Sequence, residues 1–202
     1  MTDLQADAEH RAKMQRIKAA RDRMMAEKTE TRGLLIVHTG KGKGKSSAAW
    51  GMVMRCLGHG MRVGIVQFIK GAWSTGEAEF LKRFPDLVTI KTMGEGFTWE
   101  TQDRARDIAA AERAWAEAQK MLSDPAMQLL VLDELNVVLR YDYLLLDAVV
   151  AAVAARPTRQ HVVITGRNAP QALIDAADLV TEMTLIKHPF RTGIKAQPGI
   201  EF

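Results

Sequence analysis

The sequence predicts an α/β protein, a three-layer α/β/α P-loop sandwich of the RecA-like kind around a mostly parallel sheet of five or six strands. Three observations lead there. Short apolar runs alternate with longer periodic segments from Leu34 to Leu185, the pattern that builds a parallel sheet covered by helices on both faces. A loop rich in glycine and lysine, Thr39-Gly40-Lys41-Gly42-Lys43-Gly44-Lys45-Ser46-Ser47, joins the first strand candidate to the first helix candidate. A later apolar run, Leu129-Leu130-Val131-Leu132, ends in two carboxylates, Asp133 and Glu134, as a central strand does where it emerges at a phosphate site.

Residues 1–32 precede this pattern as a charged arm. Arg11, Lys13, Arg16, Lys18, Arg21 and Arg23 are interspersed with Asp7, Glu9 and Glu27, and Leu4, Met14, Ile17, Met24 and Met25 form too sparse a stripe to bury a helix well. The arm reads as helical or partly disordered, either a solvated extension or a segment that orders over a ligand or a partner subunit. Residues 33–202 read as one domain. Its first strand is Leu34–Val37, and after the loop a helix runs through Ala48 to Leu57, stopped by Gly58 and Gly60. Arg62–Phe68 is the second strand, followed by a polar loop from Lys70 to Gly76 and a helix from Glu77 to Phe84. Val88–Ile90 is the third strand. Thr101 is the expected N-cap of a long helix over about 102–122, with Ile108, Ala111, Trp115 and Leu122 on its apolar side. After the acid-bearing strand come a helix over Leu144–Ala155, a strand over His161–Thr165, a turn at Gly166-Arg167-Asn168 and a last strand over about 179–185.

Composition narrows the class. A chain of 202 residues, 47% hydrophobic, can bury one sizeable core. The single Cys56 excludes an internal disulfide and a cysteine-rich zinc site and reads as a buried thiol, so a reducing cytoplasm is the expected compartment. No apolar run is long enough to span a bilayer and the charged N-terminus has no signal-peptide core. Neither a membrane nor export is therefore expected. The net charge of +4 comes mostly from the loop lysines and the arm, and without a stacking platform or a known motif it implies no nucleic-acid partner. His38, His59, His161 and His188 show no ligand spacing.

The loop carries the chemistry. Gly44-Lys45-Ser46 matches the end of G-x-x-x-x-G-K-[ST], whereas Thr39 stands where the first glycine belongs, and Gly40 and Gly42 supply the turn instead. Backbone N–H groups of such a loop, with the positive end of the following helix, hold a polyphosphate. Lys41, Lys43 and Lys45 place three ammonium groups on alternate residues, more than the single lysine of ordinary phosphoryl transfer. They point to a site that holds a whole triphosphate. The expected nucleotide set is Thr39 through Ser47 with Arg167, which sits at a strand's carboxyl end. Ser46, Asp133 and Glu134 form the expected metal set. Two other readings use the same residues: a hydrolytic ATPase or kinase in which Glu134 polarises water or a hydroxyl, and a nucleotide-gated module whose basic arm touches nucleic acid. Phe97 and Trp99, two residues apart, share one face of any strand and by spacing alone read as core.

Four stretches together are more particular: Gly40-Lys41-Gly42-Lys43-Gly44-Lys45-Ser46-Ser47-Ala48-Ala49, Gly94-Glu95-Gly96-Phe97-Thr98-Trp99, Leu132-Asp133-Glu134-Leu135 and Lys195-Ala196-Gln197-Pro198-Gly199-Ile200. In their order and spacing, from about Gly33 to Phe202, the chain resembles the ATP:corrinoid adenosyltransferases of the P-loop type. The resemblance implies transfer of the 5′-deoxyadenosyl group of ATP, the cosubstrate, to cobalt(I) of a reduced corrinoid, with release of triphosphate, in adenosylcobalamin biosynthesis and corrinoid salvage. It implies magnesium as cofactor, with manganese an alternative, and cobalamin or a cobyrinic acid a,c-diamide as acceptor. Lys41, Lys45 and Glu134 become the expected catalytic residues: the two lysines, with magnesium on Ser46 and Glu134, offset charge on the leaving triphosphate. ATP would lie reversed in the loop, presenting C5′ rather than the γ-phosphorus. Phe97 and Trp99 become an apolar wall beneath the corrin that displaces the lower axial ligand of cobalt(II), bringing its reduction within reach of a reduced flavodoxin-like donor. A homodimer is implied too, with the arm closing over its own or a partner's nucleotide.

Overall fold

The computed structural model describes residues 3–69, 75–93 and 103–201, with side chains from Gln5 onward. The chain divides into two compact units, Met1–Arg32 and Gly33–Phe202. The first contains one helix, α1 (Asp3–Ala26), whose described side chains are all exposed. Its polar sequence offers no face to bury, and its surface carries pairs such as Lys18 with Asp22 one turn on, at 2.7 Å.

The second unit is built on six parallel strands. These are β1 (Leu35–Thr39), β2 (Val63–Gln67), β3 (Val88–Thr92), β4 (Leu129–Asp133), β5 (His161–Thr165) and β6 (Leu179–Glu182), in the order β3-β2-β4-β5-β1-β6. Among the described residues six α-helices accompany them: α2 (Lys45–Gly58), α3 (Gly76–Leu81), α4 (Arg104–Leu122), α5 (Leu135–Arg140), α6 (Leu146–Ala154) and α7 (Gln171–Ala176). Successive strand residues face opposite sides, which divides the core in two. Ile36, Val63, Ile65, Leu129, Val131 and Val163 pack with Ala49, Trp50, Val53 and Leu57 of α2 and Leu81 of α3. On the other face Leu35, Val37, Val66, Leu130, Leu132, Val162 and Ile164 pack with Ala111, Ala114, Trp115 and Ala118 of α4, Leu135 of α5, Val149 of α6 and Leu173 of α7. Burial on both faces is why the central strands read as unbroken apolar runs. Each fully buried Val, Leu or Ile contributes about 2 kcal/mol of transfer free energy.

The six-stranded parallel sheet with helices on both faces is the three-layer α/β/α sandwich that the sequence predicts, with several boundaries moved. β1 runs through Thr39, and the last strand stops at Glu182. There Met183 N–H still donates to Thr39 O (2.9 Å), but Met183 O turns to accept from Gly42 N–H (2.7 Å), so the ladder gives way to the loop. The long helix begins at Arg104 with Asp103 as its N-cap, the Asp103 carboxylate accepting from Arg106 N–H at 3.1 Å. Thr101, the expected cap, lies outside the described residues. Helices α5 and α7 were not anticipated, since six residues are too few to show a 3.6-residue period. Among the described residues no helix is long and apolar enough to cross a membrane.

Candidate active site

The carboxyl ends of β1, β4 and β5 lie level, since Leu132 pairs with Ile164 and His38 with Thr165. Chain leaving β1 at Thr39 therefore folds back over the ends of its neighbours before entering α2. The fold-back is tight. A Cβ on Gly42 would lie 2.7 Å from the carbonyl oxygens of both Met183 and Thr184, so no larger residue fits there. Gly44 caps α2 at φ 103, in the left-handed region, and no side chain caps the helix or places an acid in its first turn. The first N–H groups of α2 thus point outward as an anion-binding end.

Lys45 is buried, and its Nζ donates to the carbonyl oxygens of Gly40 (3.0 Å) and Gly42 (2.6 Å). Burial lowers its pKa, Glu134 partly restores it, and Arg167 and Lys43 lower it further. Thr39, in place of the usual glycine, accepts from Ala169 N–H at 3.0 Å and so ties the loop's start to the turn after β5. Its hydroxyl is spent there rather than on the cavity. His38 is packed beneath, its Nδ1 3.2 Å from Lys45 O.

The acidic side is held as firmly. Asp133 Oδ1 accepts from Ser46 Oγ and from Thr165 Oγ1, both at 2.7 Å. Glu134 follows at φ 62, ψ 19, a left-handed conformation costing a non-glycine residue about 1–2 kcal/mol. Its N–H donates to Thr165 Oγ1 at 2.9 Å, and Asn136 Nδ2 donates to Gly166 O at 3.0 Å, so two bonds to the end of β5 fix the bend. That bend swings the Glu134 carboxyl toward the loop. Burial first, and the neighbouring Asp133 second, raise its pKa, against Lys45, Arg167 and Lys43, which lower it.

Loop and Glu134 share one cavity of about 410 Å³, lined by Lys43, Gly44, Lys45, Ser46, Ser47, Glu134 and Arg167 from the expected set. Lys41 is exposed, and it is not among the lining residues, nor are Thr39, Gly40, Gly42 and Asp133. Gly40 and Gly42 take part through their carbonyls on Lys45, and Asp133 through Ser46. Phe97 and Trp99 lie outside the described residues. The remaining lining residues had not been singled out: Trp50, Ile69, Glu77, Val137, Arg140 and Tyr141, with Ile200 and Glu201 from the tail. Arg140 lies over the Tyr141 ring, 5.5 Å from its centroid, and Glu201 pairs with Lys43. Only Ile200 had a sequence signal, within the tail motif.

A family model described as ATP:corrinoid adenosyltransferase BtuR/CobO/CobP matches residues 31–202. The corrinoid adenosyltransferase of Pseudomonas aeruginosa is 60% identical over 97% of each chain. That of a Sinorhizobium species is 57% identical over 97% of this chain and 92% of its own. Corrinoid adenosyltransferase CobA of Salmonella typhimurium is 45% identical over 98% of this chain and 100% of its own. These matches run nearly end to end, so they concern the whole enzyme rather than a shared loop. The chain belongs to the ATP:corrinoid adenosyltransferase family, and it is a transferase that adenosylates a corrinoid with ATP.

Proposed function

We propose that the reaction passes the 5′-deoxyadenosyl group to cobalt(I) and releases intact triphosphate. The observation that carries this reading is the grouping of Lys43, Lys45 and Arg167 around Glu134 in one cavity, with Ser46 and Asp133 in contact beside it. These cations, with Arg140 as a fourth on the cavity wall, suit a polyanionic leaving group. Cobalt(I) of the corrinoid substrate gives its electron pair to C5′ as the C5′–O bond breaks, and that bond's pair leaves on the triphosphate. The nucleophile carries no proton, so no general base is needed, and the chain's task is alignment and charge stabilisation.

Lys45 exchanges two backbone carbonyls for phosphate oxygens, which are stronger acceptors. Lys43 and Arg167 meet the outer phosphates, and the N–H groups opening α2 complete the cradle. Lys41, exposed on the loop, adds long-range attraction. Ser46, Asp133 and Glu134 are hard oxygen donors that fit magnesium, or manganese in its place. Magnesium held by these residues would supply Lewis-acid charge for the triphosphate. Phe97 and Trp99 form the apolar wall for the corrin, on the strength of the sequence resemblance. The same resemblance supports a homodimer, a reduced flavodoxin-like electron donor, a cytoplasmic setting, and roles in both biosynthesis and salvage.

The test is anaerobic incubation with ATP, magnesium and chemically reduced cob(I)alamin, followed by the cobalamin spectrum and identification of the phosphate product. Light-sensitive adenosylcobalamin with stoichiometric triphosphate is expected. ADP and phosphate in place of triphosphate would assign Glu134 to hydrolysis and overturn the reading. Trp99→Ala is expected to spare transfer from cobalt(I) while impairing turnover that begins from cobalt(II).

A further inference from the structure

A row of hydrogen bonds crosses the carboxyl rim of the sheet and ends on Asp133. Gln67 closes β2, level with Thr92 at the end of β3 on one side and Asp133 at the end of β4 on the other. Thr92 Oγ1 donates to Gln67 Oε1 at 2.8 Å, and Gln67 Nε2 reaches Asp133 Oδ2 at 3.5 Å, the long end of the bonding range. Oδ1 of the same carboxylate takes Ser46 and Thr165. The direction of every bond is forced. A carboxylate only accepts, so Gln67 must turn its amide nitrogen toward Asp133 and its oxygen toward Thr92, whose hydroxyl must then donate. Gln67 is 3% exposed. A buried amide at this position is costly unless partnered, and no apolar packing need accounts for it.

The row has two ends. At one end stands the carboxylate that holds the loop serine, and at the other the end of β3. Met93 N–H continues the ladder onto Gln67 O at 3.2 Å, and the chain then enters Gly94–Trp99. We infer that Gln67 and Thr92 are positioning residues: they orient the Asp133 carboxylate for its metal-holding task. This rests on the assignment of Ser46, Asp133 and Glu134 proposed above.

The experiment compares Gln67→Met, Thr92→Val, Thr92→Ser and the Gln67→Met/Thr92→Val double variant. ATP binding is measured calorimetrically with and without magnesium, in the absence of corrinoid. Thermal unfolding runs alongside as a control. Gln67→Met is expected to weaken ATP binding with magnesium about fivefold, the worth of one ordinary hydrogen bond, as suits a contact of 3.5 Å, and to leave magnesium-free binding unchanged. Thr92→Val should shift it in the same direction by less, Thr92→Ser should restore it, and the double variant should be no worse than Gln67→Met alone. Equal losses with and without magnesium, or multiplying effects of the two substitutions, would make the row a structural feature and overturn the inference. Should Gln67→Met fail to fold, the Thr92→Val and Thr92→Ser pair decides it by the same criteria. A wild-type protein that bound magnesium–ATP but no corrinoid would instead sink the adenosyl-transfer reading, a result distinct from either.

Discussion

At the scale of single residues, the loop's geometry makes its glycines hard to replace. Gly42→Ala would drive a Cβ into the carbonyl oxygens of Met183 and Thr184, 2.7 Å away, which are backbone atoms and cannot rotate aside. The variant is expected to lower the unfolding temperature and weaken ATP binding at least tenfold, about 1.4 kcal/mol, checked by thermal unfolding and calorimetry. His161 carries a pH dependence. Its Nδ1 accepts from Leu34 N–H at 3.1 Å, and burial, with the nearby Arg156, lowers its pKa below the ordinary 6.5. The folded state thus favours the neutral ring. Its stabilisation is complete above the unfolded value of 6.5 and is lost as pH falls from there through the lowered native value. Urea midpoints measured across that range should decline in the wild type, and more shallowly in His161→Asn.

At the scale of elements, the tail has a definable task. Residues 197–201 form a turn in which Ile200 N–H and Glu201 N–H both donate to Gln197 O, at 3.2 and 2.9 Å. The turn presents Glu201 to Lys43 and puts Ile200 on the cavity wall. A carboxylate on a loop cation competes with phosphate for it. Lys43 is half exposed, so the pair is worth little by itself. Glu201→Gln is expected to tighten binding of ATP and of triphosphate about two- to fivefold, measured by calorimetry, while weaker binding would mean that Glu201 orients Lys43 instead. The short helix α5 matters for the same cavity, since it delivers Val137, Arg140 and Tyr141. Its six residues gave no periodic signal, and the left-handed bend at Glu134 that launches it is held by Thr165 and Gly166 on another strand, contacts that a local reading has no means to see.

At the scale of the whole molecule, the charged arm and the sheet domain are separate units, and the family resemblance implies an arm that closes over its own or a partner's nucleotide. Deleting residues 1–28 is then expected to leave cooperative unfolding of the sheet domain in place while weakening affinity for both ATP and corrinoid. Equilibrium binding checks this, and unchanged affinity for both would remove the arm from the site.

The sequence by itself determined the class of protein. Parallel strands buried on both faces must be written as unbroken apolar runs, and a phosphate loop must be contiguous because successive backbone N–H groups build it, so both were legible along the chain. Asp133 and Glu134 were legible because they end such a run. Only the tertiary structure decided how the cavity is completed. Arg140, Glu77 and the tail pair Ile200 and Glu201 come from three different segments, and Thr92, Gln67, Asp133 and Thr165 meet because strand order and register bring their ends level. The physical reason is range: a loop or a strand is specified by neighbours in sequence, whereas a hydrogen-bonded rim is specified by side chains that become neighbours only once the sheet has formed.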